Sequence, residues 1–294
     1  MKIDYMNVIK KIISLLKQNY IFYTDDIEKD IIKKIQHDKN IQNYDEPEIA
    51  GFLYVILQKY DNHFSFQPRL KNKKIKMDKE YFNKLFKTKI IGNIGIIKFN
   101  EFPDFGLTKQ YSQKSINDLS LTNKKLLCNS TINAIEKVIN CKNIIFDLSD
   151  NGGGCDQVAL FLMSFIFDKK TTVNVNIFKN EKRKEQTFTK KELEKICNCN
   201  NLPLLYDKKI FVYISKNTFS AAEFFAFTLQ KFKKAKIIGI EKSMGGCNGG
   251  DFYTVNKNMK MFIPYFYPKF SWTNGIIPNI KNNIKEFIQS NKDN

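Results

Sequence analysis

Arginine is almost absent from this sequence of 294 residues, in which Arg69 and Arg183 are the only two. The formal net charge of +18 therefore comes from lysines that are scattered through a chain rich in isoleucine and asparagine. Proteins that read nucleic acids usually present arginine forks or clustered basic stripes. We therefore expect the charge to be solvated surface, and we expect no nucleic-acid partner.

Long apolar runs are also missing. Charged residues interrupt the first twenty residues, which leaves no continuous apolar stretch for a secretory signal. No segment reaches the roughly 18 apolar residues that a helix needs to span a bilayer. We expect no membrane span and a cytoplasmic location.

The sequence has few residues that bind metals in recognisable patterns. Its two histidines, His37 and His63, lie far from the cysteines, whose spacing matches no zinc motif. A chain this long needs no disulfide framework, so we expect reduced thiols, no metal and no organic cofactor. The cysteines are Cys128, Cys141, Cys155, Cys197, Cys199 and Cys247.

The hydrophobic content of 43% indicates a globular protein, and its pattern divides the chain into two parts. Apolar stripes at helical spacing run through Val8–Leu16, Ile27–Ile35 and Ile49–Tyr60. A polar, lysine-rich connector follows from Gln67 to Lys79. This pattern predicts an N-terminal helical subdomain over residues 1–70.

Beyond the connector, short apolar strands alternate with helices, which predicts an α/β core with parallel crossovers over residues 71–294. The strand candidates are Ile94–Phe99, Asn143–Leu148, Thr171–Phe178, Lys209–Ile214 and Lys236–Ile240. The helix candidates are Ser130–Asn140, Cys155–Phe167, Lys190–Ile196, Ser220–Lys231 and a terminal helix after Pro278.

A glycine-rich loop follows the second of these strands, where Asp147 is followed by Asn151, Gly152, Gly153 and Gly154. Glycine amides can approach a ligand closely, and the next helix directs its positive end toward the loop. The loop therefore fits an anion or oxyanion site. A tight turn without a ligand explains the glycines equally well.

Ser220 begins a predicted helix directly after a predicted strand. A serine there can act as a nucleophile, because the helix dipole and the next amide stabilise developing negative charge. The spacing of Ser220 and Glu223 also fits a capping box, in which both side chains only satisfy amides of the first turn. Both interpretations stay open on residue type.

His63 follows the third apolar stripe and lies beside Asp61. A histidine is the natural proton acceptor for a serine nucleophile near neutral pH, although a single histidine is more often a packing residue. His37 lies in a polar segment and is given no role.

These motifs occur in one order: Asp-x-His after a helical block, Asp-x-x-x-Asn-Gly-Gly-Gly after a strand, and Asn-Thr-x-Ser-Ala-x-Glu before a helix. In this order the chain resembles the tail-specific, or C-terminal-processing, serine peptidases. It is most similar to the branch without a PDZ domain, which includes the tricorn protease core and interphotoreceptor retinoid-binding protein repeats.

The resemblance implies a ClpP/crotonase-like core with an N-terminal helical cap, and a substrate that is a peptide or an unfolded protein. It implies Ser220 as nucleophile and His63 as general base. It places the oxyanion hole at the amide of Ala221 with that of Gly152 or Gly153, and it implies no cofactor.

The chain also departs from the family pattern. Gly245 stands where PDZ-bearing members have a lysine base, so Lys242 is the alternative base. Ile277 stands where the tricorn-like branch has a glutamate, which leaves the group that orients His63 open among Asp61, Glu241 and Asp251. The alternative function is that of an inactive member that binds peptides.

Overall fold

The structure is a computed structural model that describes residues 4–69, 77–104, 116, 119–179 and 181–292. Its elements are α1 (Tyr5–Asn19), α2 (Asp25–His37), α3 (Glu46–Leu57), β1 (Ser65–Pro68), α4 (Lys79–Leu85), β2 (Lys87–Ile91), β3 (Ile94–Lys98), α5 (Leu121–Glu136), β4 (Asn143–Asp147), α6 (Asp156–Met163), β5 (Thr171–Phe178), β6 (Arg183–Phe188), α7 (Lys190–Cys197), β7 (Lys209–Tyr213), α8 (Ala221–Lys231), β8 (Ala235–Gly239), β9 (Gly249–Thr254), β10 (Met259–Pro268), β11 (Ile280–Lys281) and α9 (Ile284–Asn291).

The chain forms two compact units. Unit 1 comprises Met1–Lys74, Asn176–Lys184 and Asn248–Ser271, and unit 2 comprises Ile75–Val175, Glu185–Cys247 and Trp272–Asn294. The predicted division at residue 70 falls at the start of segment 70–76, which lies outside the described residues, and that division stays a prediction. The units themselves are not consecutive halves, because two later segments belong with the N-terminal helices.

Unit 1 confirms the three helical stripes as α1, α2 and α3. Asp4 caps α1 by accepting a hydrogen bond from the amide of Asn7, and Asp45 with Glu48 forms a capping box at the start of α3. The buried faces of the helices share one apolar core with β10, through residues that include Ile12, Leu16, Ile31, Leu53, Met261 and Ile263. In the sheet, β10 pairs antiparallel with β1, with β9 and with the end of β5.

Unit 2 confirms the predicted α/β class. Its sheet has the strand order β11-β8-β7-β4-β3-β2, in which β3, β4, β7, β8 and β11 run parallel and β2 pairs antiparallel with β3. Side chains of a strand alternate between two faces, so Ile144 and Phe146 join the large core while Ile145 packs with Phe287 of α9. Both faces of the sheet are therefore covered, as the continuous apolar run of β4 predicts.

Several sequence predictions need adjustment. Helix α5 begins at Leu121, well before the predicted Ser130, because Ser120 caps it by accepting a hydrogen bond from the amide of Asn123. The sequence did not predict helix α4 or the strands β1, β2, β6, β9, β10 and β11. The expectation of reduced thiols is wrong for one pair, because Cys128 of α5 and Cys197 of α7 form a disulfide with a Cα to Cα distance of 5.4 Å.

Among the described helices, none has the length and apolar character needed to cross a membrane. Within the same described ranges, no group of three or more histidine, cysteine, aspartate or glutamate side chains could hold a metal ion.

Candidate active site

Ser220 lies in unit 2 at the junction between the loop after β7 and the first turn of α8. Its backbone has φ 55° and ψ −121°, and residues with a side chain rarely adopt such a positive φ. An ordinary N-cap residue has an extended backbone instead. Backbone strain of this kind is typical of functional sites, where the surrounding structure holds the residue in place.

The buried carboxylate of Glu223 organises the backbone around Ser220. It accepts hydrogen bonds from the amide of Ser220 at 3.1 Å, the hydroxyl of Ser243 at 2.5 Å, and the amides of Gly245 and Gly246 at 2.8 Å each. Burial raises the pKa of the Glu223 carboxyl, and these four hydrogen bonds oppose that rise. The glutamate half of the predicted capping box is therefore present, but the same carboxylate also holds a second loop in place.

Hydrogen bonds join the loop of Ser220 to the loop that follows β4. The amide of Phe219 donates to the carbonyl of Asn151 at 3.1 Å, and the Thr218 hydroxyl donates to the carbonyl of Leu148 at 2.8 Å. The carboxyl ends of β4 and β7 are adjacent in the parallel sheet, so the two predicted motifs meet there.

The glycine-rich loop approaches Ser220 at a position where only glycine fits. The side chain of Asn151 is fully buried, donates to the carbonyl of Phe99 at 3.0 Å and accepts from the amide of Gly153 at 2.9 Å. Gly153 has φ +100°, and a Cβ added there would lie 2.7 Å from the Cβ of Ser220. The loop therefore lies directly against the candidate nucleophile.

The amides predicted to form an oxyanion hole differ in their availability. The amide of Gly153 is already bonded to Asn151. By contrast, the amides of Gly152 and Ala221 have no hydrogen-bond partner in the described part of the chain. Ala221 is the first residue of α8, so its amide belongs to the positive end of that helix.

Both positions considered for a lysine base lie among the described residues. Gly245 has φ +98°, and a side chain there would collide with the carbonyl of Thr273, so this backbone does not accommodate a lysine. Lys242 is exposed, and within the described residues it has no hydrogen bond or ion pair.

His63 lies in unit 1, where it is 8% exposed. Its ring packs on Phe262 with the ring centroids 5.0 Å apart, and its backbone amide donates to Asp61 at 2.9 Å. Burial lowers the pKa of His63 to about 4, and a hydrogen bond with the backbone of Asn248 opposes this shift. His37 is exposed, and its Nδ1 lies 2.6 Å from the carbonyl oxygen of Lys33.

The three acids considered as partners of His63 lie in different places. Asp61 contacts the His63 backbone in unit 1. Asp251 lies in β9 of unit 1, and Glu241 is an exposed residue of unit 2. Ile277, at the position of the family glutamate, is 67% exposed.

The sequence did not indicate a role for Asn248 or the contacts of Glu223 with the loop at 243–246. Asn248 donates to Asp61 at 2.8 Å across 187 positions of the chain, a contact that no local pattern predicts. The glycines at 245 and 246 are the one local signal that a tightly turned loop lies there.

Two solved structures with a similar fold cover nearly the whole chain, and a third covers 69% of it. A lipoprotein from Streptococcus agalactiae has a TM-score of 0.62 at 14% identity, covering 99% of this chain and 96% of its own. A candidate peptidase from Parabacteroides merdae has a TM-score of 0.61 at 15% identity, covering 99% and 92%. A candidate S41 protease from Bacteroides fragilis has a TM-score of 0.50 at 17% identity, covering 69% and 51%.

The sequence matches the family model of peptidase family S41 over residues 93–281. This range contains the glycine-rich loop, Ser220 and Glu223. The match to this family confirms the resemblance to the C-terminal-processing peptidases and the ClpP/crotonase-like core. The chain therefore belongs to peptidase family S41, whose members are hydrolases that act on peptides and proteins.

Proposed function

We propose that this protein is a serine endopeptidase that cleaves unstructured peptides or protein tails, with Ser220 as nucleophile and His63 as general base. One observation carries the proposal: Ser220 has a strained backbone at the start of α8, and a glycine loop lies against it. An ordinary helix cap requires neither feature.

In the proposed reaction the Ser220 hydroxyl oxygen attacks the carbonyl carbon of the scissile peptide bond while His63 takes its proton. The tetrahedral intermediate collapses when His63 returns the proton to the leaving amine. Water then hydrolyses the acyl-enzyme by the same steps. The reaction requires no metal or organic cofactor.

For the oxyanion hole we propose the amides of Ala221 and Gly152. Both have no hydrogen-bond partner in the described part of the chain, whereas the amide of Gly153 is bonded to Asn151. Gly153 would then serve to let the loop approach Ser220 closely, and not to donate the hydrogen bond. Aligned donors of this kind contribute about 10²–10³-fold to turnover.

His63 is the preferred base. Because burial lowers its pKa to about 4, its imidazole is neutral and able to accept a proton at pH 7. Lys242, the alternative, is exposed. A base with such a low pKa gives a small driving force for proton transfer, so we expect modest turnover.

The proposed substrates are extended peptides, with weak preference for acidic ones because the surface is rich in lysine. We do not propose nucleic acid as a partner.

A cytoplasmic location remains a proposal from the sequence. The Cys128–Cys197 disulfide favours an oxidising compartment, and alkylation of thiols in intact cells would decide between the two.

A peptide-binding protein without turnover is the second candidate. Ile277 supplies no carboxylate at the position of the family glutamate, which favours this alternative. Such a protein would keep the fold and bind extended peptides without cleaving them.

Turnover of an unfolded protein substrate separates the two functions. We expect Ser220→Ala to abolish cleavage and to retain the far-UV circular dichroism spectrum of the wild type. Ser120→Ala is the matched control, because Ser120 caps α5 in the same unit with an ordinary extended backbone, φ −57° and ψ 150°. Peptide binding by a wild type that cleaves nothing would support the second candidate instead.

A further inference from the structure

Asp61 joins two residues of unit 1 that are far apart in sequence. One carboxylate oxygen accepts the backbone amide of His63 at 2.9 Å, and the other accepts the side-chain amide of Asn248 at 2.8 Å. The three residues are 8%, 8% and 9% exposed. A buried carboxylate needs such donors to offset its desolvation, and burial shields these hydrogen bonds from water.

Asn248 is linked to His63 in two ways, one through Asp61 and one directly. Its side chain holds the carboxylate that fixes the His63 backbone, and its own backbone forms a hydrogen bond with the His63 ring. The Phe262 ring packs against the imidazole at a centroid distance of 5.0 Å and an interplanar angle of 35°. The backbone and the ring of His63 are therefore both held in unit 1.

We propose that Asn248 is the positioning residue of His63, acting through Asp61 and through its own backbone, and that it replaces the carboxylate that Ile277 does not supply. This inference rests on the proposed role of His63 as the base. Asn248 touches no substrate in this account. Its effect is on the orientation of the imidazole, since misplacing a catalytic group by about 1 Å can reduce turnover about 10²-fold.

This arrangement differs from a Ser-His-Asp triad in its electrostatics. In a triad a carboxylate accepts a ring N–H and stabilises the imidazolium. Here the carboxylate of Asp61 binds the His63 backbone. Burial raises the pKa of the Asp61 carboxyl. The ring itself is held by the Asn248 backbone and by Phe262.

The test combines turnover with NMR of the imidazole rings. The chain has only two histidines, so exposed His37 is an internal reference for His63. In Asn248→Ala we expect kcat to fall by about 10–100-fold with KM little changed, and the His63 ring signals to shift from their wild-type positions while those of His37 stay unchanged. Asn258→Ala, an exposed asparagine of the same unit, is the matched control and should change neither readout.

Two substitutions at Asp61 provide a rescue test that does not depend on Asn248→Ala being folded. Asp61→Ala removes both acceptors. Asp61→Asn retains one acceptor oxygen for the His63 amide. Its new NH₂ group can donate to the side-chain oxygen of Asn248 once the Asn248 amide group flips by about 180°. We expect Asp61→Asn to recover part of the turnover and the native His63 signals that Asp61→Ala loses.

Unchanged His63 signals in Asn248→Ala, or equal effects of Asp61→Asn and Asp61→Ala, would overturn the proposal. The NMR readout does not require catalysis. A wild type without turnover whose His63 signals respond as expected would therefore refute the proposed function and leave the positioning by Asn248 supported.

Discussion

Replacing Glu223 by glutamine tests whether its buried carboxylate organises the nucleophile. Each carboxylate oxygen accepts two donors: Oε1 binds the Ser243 hydroxyl and the Gly245 amide, and Oε2 binds the amides of Ser220 and Gly246. A glutamine keeps one acceptor oxygen. In either orientation its NH₂ group faces two donors, so two hydrogen bonds are lost and their donors remain buried.

The expected cost follows from these contacts. Hydrogen bonds to a charged group contribute about 1.5–3 kcal/mol each, so two lost bonds give about 3–6 kcal/mol. Removing the charge recovers part of this, because burial opposes ionisation of Glu223 and raises its pKa. We therefore expect a net destabilisation of about 3 kcal/mol, equivalent to a fall in Tm of about 6–12 °C.

The assay measures thermal unfolding together with the rate at which a fluorophosphonate labels the protein below its Tm. Labelling should slow by at least about 10-fold, because the amide of Ser220 loses the hydrogen bond that holds its strained backbone. Glu192→Gln is the matched control: Glu192 occupies the same third position of α7 and is exposed. If Glu223→Gln resembled Glu192→Gln in both measurements, the reasoning would be refuted.

Three further predictions concern the pKa of His63, the substitution of Gly153 and the surface charge. First, burial lowers the pKa of His63 to about 4, below its unfolded value near 6.5. Unfolding therefore takes up a proton between these two pH values, and the stability of the protein falls as pH falls through this window. We expect kcat/KM to keep its plateau down to about pH 5, and an acid limb near pH 6.5 would contradict this. Second, Gly153→Ala should slow labelling of Ser220 by more than about 10-fold and destabilise by about 1–3 kcal/mol, since alanine is strained at φ +100° and its Cβ would meet Ser220; native labelling kinetics would contradict it. Third, any binding to duplex DNA should be weak and should collapse between about 50 and 200 mM salt; sequence-specific binding that persists at the higher salt would contradict it.

Local patterns predicted the parts of the fold that depend on neighbouring residues. The apolar residues of α1 to α3 recur at helical spacing and most of them are buried, although Ile32 and Val55 are 41% and 73% exposed. The apolar run of β4 is continuous, and all of its residues are buried. Strand β10 was not predicted, and it contains Pro264 and Pro268, a residue type that is uncommon inside a sheet. Segment 259–268 forms a strand because it pairs with β1 and β9, and local sequence periodicity does not predict pairing with such other segments.

The candidate site shows the same limit. Ser220, the glycine loop and His63 were found because each has a local motif. The role of Asn248 depends on an acid 187 positions away, and the Cys128–Cys197 disulfide closes a separation of 69 residues. Glu223 was recognised only as a cap, since its contacts to the loop at 243–246 form by folding and not by helical spacing.

The central claim is that Ser220 is the nucleophile, and the site of covalent modification tests it most directly. The wild type would be treated with a fluorophosphonate, digested and mapped by mass spectrometry, with and without an unfolded protein competitor. We expect one adduct on Ser220 that the competitor suppresses and that Ser220→Ala abolishes. No adduct, or an adduct on another serine that persists in Ser220→Ala, would contradict the account.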